Sequence, residues 1–351
     1  MRRSNNKNEN DTYQYDNVLG EPIDQKELKK SSKRRSNRSN QEQKPKRKKK
    51  KGFLKKLVFI LLALVAIFLI YFNYIFSKTQ KASLQTDNEA LGITRNSTFG
   101  ITNLVFYGLD SEEGIGSRSD TIMIITIDNR NGKIKLSSIV RDSYVDIPGY
   151  GMDKINHAYA YGGPQLALAT LNSNFNLDVR YFATVNFESM PKIIDALGGL
   201  DLYLTAAEAN EIPGLEGKPD GIYHLTGPQA LDFSRIRKID TDFERSRRQR
   251  DVMTGIIDKI FSQTPLSYPK VMNEIMPLVT TNLPSYKILG LGTTMLLRQT
   301  KHIEQARFPL ASLSNGENID GVYYYVFDIE ENKKIINDYI YNNQPLPTEE
   351  E

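Results

Sequence analysis

The sequence of 351 residues contains no cysteine, which excludes disulfides, catalytic thiolates and cysteine-ligated zinc. It has only three histidines, His157, His224 and His302, too few for most histidine-centred catalytic or metal sites. A glycine-rich phosphate loop of the Walker type is also missing, so a nucleoside triphosphatase is not expected. Any chemistry must therefore rest on carboxylates, arginines, hydroxyls and a hard metal ion.

Charge is distributed unevenly along the chain. Residues 1–56 hold 19 basic and 7 acidic side chains, a formal net charge of +12. This leaves 27 basic and 35 acidic side chains, a net charge of −8, for residues 57–351. Such asymmetry is typical of a basic tail joined to a separate domain. The total of +4 therefore gives no reason to expect that the folded part binds nucleic acid.

The first 56 residues are polar and basic, with few aliphatic side chains. A segment of this composition cannot bury enough apolar surface to offset its chain entropy, and we predict a disordered tail. It contains a basic run at residues 46–51, which suits either a nucleic-acid patch or the flank of a membrane helix. The apolar segment that follows favours the second interpretation, the flank of a membrane helix.

Residues 57–76 form an apolar run in which Asn73 is the one clearly polar residue. Twenty helical residues span about 30 Å, the thickness of a bilayer core, and Tyr71 and Tyr74 lie where interfacial aromatics are common. The run is longer than the core of a cleaved signal peptide and no small-residue cleavage site follows it, so we predict an uncleaved anchor. Lysines concentrate before the run, which places the N-terminus in the cytoplasm beside anionic lipid and the remainder outside the cell.

Strands and helices alternate after a predicted polar stem at residues 77–98. We predict one domain at residues 99–345 and an acidic end at residues 346–351. The predicted strands lie at residues 103–107, 121–127, 133–139, 180–186, 200–204, 302–308 and 322–327. The predicted helices lie at residues 163–174, 188–197, 228–233, 243–261, 288–298 and 331–341. This alternation indicates the α/β class, with helices on both faces of a sheet.

Two carboxylates flank the connection between the first two predicted strands. Asp110 follows one strand and Asp120 precedes the next, with Arg118 between them. If the strands are antiparallel neighbours, both carboxylates emerge at the same end of the sheet. Close carboxylates repel unless a proton or a cation lies between them, and hard oxygen ligands suit Mg²⁺ or Mn²⁺. The alternative is that both are ordinary turn residues in a Gly/Ser-rich connection.

Arg141 stands at the end of the predicted strand 133–139. From that position its side chain can reach over the edge of the sheet towards a ligand. It can equally pair with Asp142 or Asp146, and the sequence favours this second reading.

A third group of charged residues lies at residues 232–250. Arg235 and Arg237 share a face only in extended chain, so the helix that starts at Pro228 is predicted to end before Arg235. On the next helix Asp242, Arg245 and Gln249 form one polar stripe.

The stripe continues into Met253, Ile256 and Ile260, which are apolar. It is therefore in line with the buried side of the helix, and inward arginines need anions because an unpaired buried guanidinium is costly. A phosphate-bearing ligand and an interlocked Arg–Asp network remain equal alternatives at this point. Arg247 and Arg250 project elsewhere and are predicted to be surface charges.

His157 is the most tempting general base. It lies in the segment KINHAYAYGG, where a single histidine among alanines and tyrosines is more often structural than catalytic. We therefore predict no catalytic role for it.

Taken together, these segments resemble the LytR-CpsA-Psr family of Gram-positive cell-envelope proteins. The resemblance covers the basic tail, the anchor and residues 103–260. It is carried by GLD followed by RSDT, SIVRDSYVDIPGYG, KINHAYAYGG, VNFESMPKIIDALGGLDL, LTGPQALDFSRIR and DFERSRRQR. Val140 stands where the family usually has proline, and Phe233 and Ser234 replace the usual Tyr-Ala or Tyr-Val. Neither departure removes a charged group.

The resemblance implies an α/β/α sandwich whose central mixed sheet encloses an apolar pocket for a polyprenyl chain, preceded by a single transmembrane helix. It implies an extracellular, membrane-anchored phosphotransferase that moves a glycopolymer from undecaprenyl pyrophosphate to peptidoglycan and forms a phosphodiester. The polymer would be wall teichoic acid or a capsular polysaccharide, and the acceptor is usually the muramic acid 6-hydroxyl. Pyrophosphatase is an expected side activity, and nucleic acid is not an expected partner.

The resemblance also implies roles for individual residues. By motif position, Asp110 and Asp120 are the acids associated with Mg²⁺ or Mn²⁺, and Asp120 is also counted as catalytic. The residues implied as the pyrophosphate clamp and its neighbour are Arg141, Arg235, Arg237, Arg245 and Gln249. Arg118 is a secondary substrate-binding candidate and Asp242 a weaker one.

Two other functions remain open from the sequence. One is a non-catalytic, membrane-tethered binder of polyprenyl phosphate or wall polymer, and the other is a transcriptional attenuator that uses the basic tail. The identity of the polymer, a peptidoglycan or a protein acceptor, and the residue acting as base also stay open. Apolar stripes such as Leu166, Leu168 and Leu171 suit a lipid pocket and an ordinary core equally well.

Overall fold

A computed structural model describes residues 50–110, 116–264, 267–298 and 303–347. The chain forms two compact units, residues 1–65 and residues 66–351, and each is described by itself. The predictions of a disordered tail and of an acidic C-terminal end fall mainly on residues outside these ranges.

Helix α1, Lys50–Phe76, contains the predicted anchor. Its segment Gly52–Phe76 is long and apolar enough to cross a membrane. Side chains at residues 52–71 are all exposed, although most of them are apolar. A helix that is apolar on all sides is stable only inside a protein core or a lipid bilayer. The exposed one here is therefore a candidate transmembrane helix.

A seven-stranded sheet forms the centre of the second unit. Its strands are β1 Gln80–Lys81, β2 Ile101–Leu109, β3 Ser119–Asp128, β4 Lys133–Ile139, β7 Tyr181–Asn186, β10 Thr280–Thr281 and β11 Ile303–Phe308. Across the sheet they follow the order β1-β10-β7-β2-β3-β4-β11. Strands β2, β3 and β4 are antiparallel neighbours, whereas β7 runs parallel to β2 and β11 parallel to β4. The sheet is thus mixed, as expected.

Three two-stranded hairpins surround the sheet. They are β5 Tyr144–Ile147 with β6 Gly151–Lys154, β8 Leu200–Leu204 with β9 Gly221–Leu225, and β12 Ser314–Ile319 with β13 Val322–Phe327. The remaining helices are α2 His157–Phe175, α3 Ser189–Ala196, α4 Ala206–Asn210, α5 Gly227–Arg235, α6 Asp242–Ser262, α7 Tyr268–Ile275, α8 Ser285–Arg298 and α9 Ile329–Asn342.

Successive residues of β2 serve two different cores, because strand side chains alternate between the faces of a sheet. Val105 and Tyr107 pack with α2 and α9 on one face, where Leu168 and Leu171 are fully or almost fully buried. Phe106 packs with α3, α6 and α7 on the other face. Helices cover both faces, which confirms the α/β/α sandwich. Leu168 and Leu171 are ordinary core.

Several element boundaries differ from the predictions. Helix α2 spans His157–Phe175, but Gly162 and Gly163 leave helical geometry inside it, so a short first segment precedes the helix predicted at residues 163–174. The predicted strand at residues 200–204 forms, but in the separate hairpin with β9. The prediction that the helix from Pro228 ends before Arg235 is wrong, since α5 includes Arg235. Within the predicted stem, Leu91 is fully buried and β1 joins the sheet.

Candidate functional site

A cavity of about 420 Å³ opens between one end of β2 and β3 and the helices α3, α5 and α6. Its polar lining includes six of the residues singled out from the sequence: Asp110, Asp120, Arg235, Arg237, Arg245 and Gln249. Its apolar lining consists of Phe106, Met123, Phe187, Met190, Leu231, Val252, Met253 and Ile256. One cavity thus joins a charged part to an apolar part.

The two carboxylates reach this cavity because β2 and β3 are antiparallel, as predicted. Gly108 pairs with Thr121 and Leu109 pairs with Ser119, which leaves Asp120 as the extra residue of a β-bulge. A bulge turns a side chain out of the regular alternation of the strand. Asp110 Oδ1 accepts a hydrogen bond from the backbone N–H of Arg118 at 3.2 Å. This bond fixes the Asp110 carboxylate at the same end of the sheet as Asp120.

Arg141 supports Asp120 from behind the cavity. Its Nη1 donates to Asp120 Oδ1 at 2.8 Å, and its Nε donates to Asp142 Oδ2 at 3.3 Å. Burial alone would lower the pKa of Arg141, but the charges of Asp120 and Asp142 outweigh it and raise the pKa. The pairing with Asp142 is confirmed, whereas the reading that Arg141 reaches towards a ligand stays a prediction; the structure places Arg141 against Asp120.

Arg235 and Arg237 reach the cavity from the end of α5. Ile236 leaves helical geometry with a ψ of 129°, and this single break brings both arginines to the same cavity although Arg235 is still helical. Arg237 Nη2 lies 3.5 Å from Asp120 Oδ2. The Arg235 guanidinium lies over the Phe187 ring, 4.5 Å from its centroid.

The polar stripe on α6 is confirmed. Arg245 is only 5% exposed and lies 3.1 Å from Asp242 Oδ1, but its Nε and Nη1 have no well-aligned hydrogen bond within the described residues. Burial, together with the nearby charges of Arg141 and Arg237, lowers the pKa of Arg245. Gln249, one turn further, lines the cavity, and Met253 and Ile256 continue into its apolar part. Arg245 therefore faces the cavity as an underpaired cation.

Four candidates are absent from the described cavity lining: Arg141 and Asp242, which contact the lining residues Asp120 and Arg245, and Arg118 and His157. The Arg118 side chain is exposed, and it is absent from the described cavity lining. His157 Nδ1 is 2.8 Å from Asp153 Oδ2, also away from the cavity lining. The prediction that His157 has a structural role agrees with this position.

Arg248 is a residue that the sequence reasoning missed. It is fully buried, and its guanidinium donates to Asp240 at 2.6 and 2.8 Å, to Glu208 at 3.2 Å and to the Ile236 carbonyl at 2.8 Å. It thus fixes the segment 236–240, which carries Arg237. Its position three residues after Arg245 was a signal, because residues three apart share a helix face.

The prediction that Arg247 and Arg250 are surface charges holds only in part, because both residues are partly exposed and partly buried. Arg247 bonds to Glu208, and also to Glu244 at 2.6 Å and Asp251 at 2.7 Å. Burial lowers the pKa of Arg250 to about 10. The contact of Arg247 with Glu208 and the burial of Arg250 arise from neighbouring elements. The periodicity of a single helix carries no information about such contacts.

A group of three acids, Glu208, Asp240 and Glu244, has the spacing of a metal site, with oxygens within 4.8 Å of one another. These oxygens already bind Arg247 and Arg248, which offset two of the three negative charges. Asp110 and Asp120 remain the predicted ligands of Mg²⁺, which commonly uses one or two carboxylates together with water and phosphate oxygens, and Asp120 is itself paired with Arg141 and Arg237. Their place in an open cavity leaves room for those further ligands.

Comparison with known proteins agrees with this geometry. A transferase from Bacillus anthracis, "Polyisoprenyl-teichoic acid--peptidoglycan teichoic acid transferase TagU", is 37% identical over 234 residues, 64% of this chain and 73% of the relative. Its namesake from Bacillus mycoides is 33% identical over 289 residues, 77% of this chain and 92% of the relative. "Regulatory protein MsrR" from Staphylococcus aureus is 33% identical over 247 residues, 69% of this chain and 75% of the relative.

Solved structures show the same fold. That of B. subtilis TagT has a TM-score of 0.59 at 27% identity, covering 74% of this chain and 99% of TagT. The protein YwtF (TagT) with bound octaprenyl pyrophosphate lipid has a TM-score of 0.56 at 25% identity and the same coverage. The model of the LytR_cpsA_psr family matches residues 67–340, which include every residue of the cavity. This chain therefore belongs to the LytR-CpsA-Psr family.

Proposed function

We propose that this protein is a phosphotransferase that moves a glycopolymer from a polyprenyl-pyrophosphate carrier to peptidoglycan, as part of cell-wall biogenesis. One observation carries the proposal: a single cavity has arginines and carboxylates in one part and an apolar lining in the other. Relatives named as teichoic acid transferases and a neighbour solved with octaprenyl pyrophosphate support it.

The charge of the cavity favours a pyrophosphate. Arg235, Arg237 and Arg245 line it, and Arg141 lies directly behind Asp120. Asp142 pairs with Arg141 and Asp242 pairs with Arg245, but neither acid lines the cavity, so three guanidinium groups and two carboxylates face the cavity itself. Guanidinium forks match phosphate oxygens, and a multiply charged anion supplies the charge that these arginines lack. Arg245, buried with unsatisfied donors, has the greatest need of such a partner.

The apolar part of the cavity favours a lipid chain next to that pyrophosphate. This part is lined by Met123 from β3 and by three side chains from α6: Val252, Met253 and Ile256. The side chains from α6 continue the Arg245–Gln249 stripe. Burial of the first prenyl units here contributes roughly 25 cal/mol per Å² of apolar surface. Lipid binding thereby places the phosphate groups at the arginines.

The mechanism follows from these positions. The acceptor hydroxyl attacks the phosphorus that carries the glycan, a phosphodiester forms, and polyprenyl monophosphate leaves. Arg237 and Arg245 bind phosphate oxygens as charge develops on the leaving group. Arg141 holds Asp120 in place, and either Asp110 or Asp120 accepts the hydroxyl proton. A bound Mg²⁺ or Mn²⁺ on Asp110 and Asp120 would supply further charge neutralisation. Water in place of the acceptor gives pyrophosphatase activity.

The candidate membrane helix gives the reaction its place. A domain tethered by α1 stays beside the membrane face where a lipid-linked donor is available. Lysines concentrate before the anchor, so we infer that the N-terminus lies in the cytoplasm and the catalytic domain outside the cell.

A transfer assay with the full chain in liposomes tests this function. A synthetic prenyl-pyrophosphate-linked saccharide serves as the donor and peptidoglycan oligomers as the acceptor. Arg141→Ala, Arg237→Ala and Asp120→Ala are each expected to lose transfer, and Lys218→Ala, exposed and outside the cavity lining, is the control. Full transfer in all three variants would overturn the site. Tight donor binding by the wild type with no metal-dependent turnover would show a binder instead of an enzyme.

A further inference from the structure

An aromatic surface lies on the β5–β6 hairpin, the first turns of α2, and β13. The rings of Tyr150 and Tyr161 stack with centroids 4.7 Å apart and planes 16° from parallel, and they are 58% and 40% exposed. Tyr144 and Tyr324, both half-buried, form a second pair with ring centroids 4.6 Å apart and planes tilted by 54°. We refer to these four residues as the tyrosine platform.

The platform has the chemistry of a sugar-binding surface. Large exposed aromatic groups that gain nothing from burial usually mark a binding site. Flat aromatic faces with polar edges receive the C–H faces of sugar rings, while neighbouring polar groups bind hydroxyls. Asp153 lies at this edge, where it accepts from Tyr161 Oη at 2.7 Å and contacts His157 Nδ1 at 2.8 Å. Its hydrogen bonds to Tyr161, His157 and the Lys154 backbone outweigh its burial and lower the pKa of Asp153, so it remains an acceptor at neutral pH.

A chain of contacts connects the platform to the reacting groups. Lys154 follows Asp153 and places Nζ 5.7 Å from the Tyr324 ring centroid and 2.9 Å from Asp142 Oδ1. Asp142 contacts Arg141, which in turn binds Asp120. Among the described residues, none of Lys154, Asp142 and Arg141 lines the cavity. A chain of side-chain contacts therefore runs from Asp120 to Tyr324 through residues outside the described cavity lining.

We propose that the tyrosine platform binds the glycan strand of the acceptor and delivers its hydroxyl to the phosphorus. This inference rests on the proposed transfer reaction, and it names the surface that holds the acceptor, which is the second substrate. In phosphoryl transfer the attacking and leaving oxygens lie roughly in line. The leaving lipid phosphate is held by its chain in the apolar part of the cavity, so the acceptor must approach from another side of Asp120. We assign that approach to the tyrosine platform because the contacts through Lys154, Asp142 and Arg141 join it to Asp120.

Binding and kinetics of platform variants test this proposal. The probe is a soluble, uncrosslinked peptidoglycan glycan chain, titrated against the full chain in detergent, and the same chain then serves as acceptor. Tyr150→Ala and Tyr161→Ala are expected to weaken its binding and raise its KM by about three- to tenfold each. The donor KM and the hydrolysis of donor by water should stay unchanged. Tyr203→Ala, 58% exposed on β8, is the matched control.

The outcomes separate this inference from the proposed function. Unchanged acceptor binding and KM in both variants would overturn the platform and leave transfer intact as the function. A raised donor KM would assign the surface to the donor polymer, and lost binding to anionic vesicles with intact glycan binding would assign it to lipid; either result overturns the inference. A wild type that neither transfers nor hydrolyses donor would refute the proposed function, while direct titration would still report on the platform.

Discussion

Arg141 Nη1 lies 2.8 Å from Asp120 Oδ1, and this pair joins two motifs that are 21 residues apart in the sequence. Arg141 follows the end of β4, and Asp120 is the extra residue of the bulge in β3. Each side chain is about one-fifth exposed, so the pair is only partly screened by water. The ion pair therefore fixes the direction of a carboxylate that faces the cavity.

The first prediction concerns this carboxylate. Asp120→Asn keeps the size of the side chain but removes its charge, so Arg141 and Arg237 lose their shared partner. We expect transfer to fall by at least about 100-fold, as when a preorganised electrostatic group is removed. Single-turnover kinetics with saturating donor measure this loss. Donor affinity should change little or rise, because the cavity becomes more positive; a loss of affinity equal to the loss of rate would contradict the assignment.

The second prediction concerns the buried guanidinium of Arg245. Arg245→Met removes a cation whose pKa is lowered by burial and by its neighbours Arg141 and Arg237. We expect the free protein to gain about 1 kcal/mol in its free energy of unfolding, because an underpaired buried charge is costly. Pyrophosphate at 100 times its Kd should stabilise the wild type by about 2.7 kcal/mol and the variant much less.

Denaturant unfolding with and without pyrophosphate measures both effects. Lys218→Met, which changes an exposed cation, is the control. A variant that is destabilised and still responds fully to pyrophosphate would contradict a ligand-binding role for Arg245.

The third prediction concerns Arg248. Arg248→Met removes one partner of the buried Glu208 carboxylate. It also removes the hydrogen bonds that Arg248 donates to Asp240 and to the Ile236 carbonyl. Breaking a buried pair in this way costs about 3–5 kcal/mol of stability. Arg248→Lys should rescue little, because lysine cannot form the two-pronged contact with Asp240. Chemical unfolding checks the cost, and Arg247→Met, which is one-third exposed, should cost less.

The fourth prediction concerns pH. Hydrogen bonds from Tyr161 and His157 lower the pKa of Asp153 below its ordinary value of 3.8, although burial opposes them. Since the folded pKa is the lower one, the stabilisation is present above about pH 4 and is lost as pH falls through the folded pKa. Asp153→Asn should therefore destabilise the protein at pH 7 and have a smaller effect at pH 3. Unfolding curves at both pH values test it, and an equal effect at both would contradict it.

The fifth prediction concerns the apolar part of the cavity. Met253→Trp fills space beside Val252 and Ile256 while the charged residues remain in place. We expect a raised KM for a donor with a long prenyl chain and an almost unchanged KM for a donor with one or two prenyl units. Parallel assays with both donors measure the difference. If the KM values of both donors rise equally, the lipid does not occupy this part of the cavity.

The charged motifs and most elements of the fold could be read from the sequence. β-Branched runs predicted β2, β3 and β4, and the apolar run predicted α1. Helix periodicity placed Arg245, Gln249 and Met253 on one stripe, because that geometry depends only on neighbours along the helix. Asp110 and Asp120 could be paired because a short connection makes antiparallel strands the natural arrangement.

Other features arise only from contacts between distant segments. The bulge at Asp120 depends on the register of β2 against β3. Arg248 is buried because Glu208 and the segment 236–240 surround it. The short strands β1 and β10 carry too little periodicity to be found from their own residues.

The sequence by itself determined the candidate membrane helix, the class of fold and the residue types of the predicted site, because hydrophobic period and charge are local properties. Only the tertiary structure decided that Arg141 holds Asp120, that His157 is absent from the described cavity lining and that Tyr150 stacks on Tyr161. Those relationships depend on how strands and helices pack. Packing is set by the sum of many weak contacts between residues far apart in the chain.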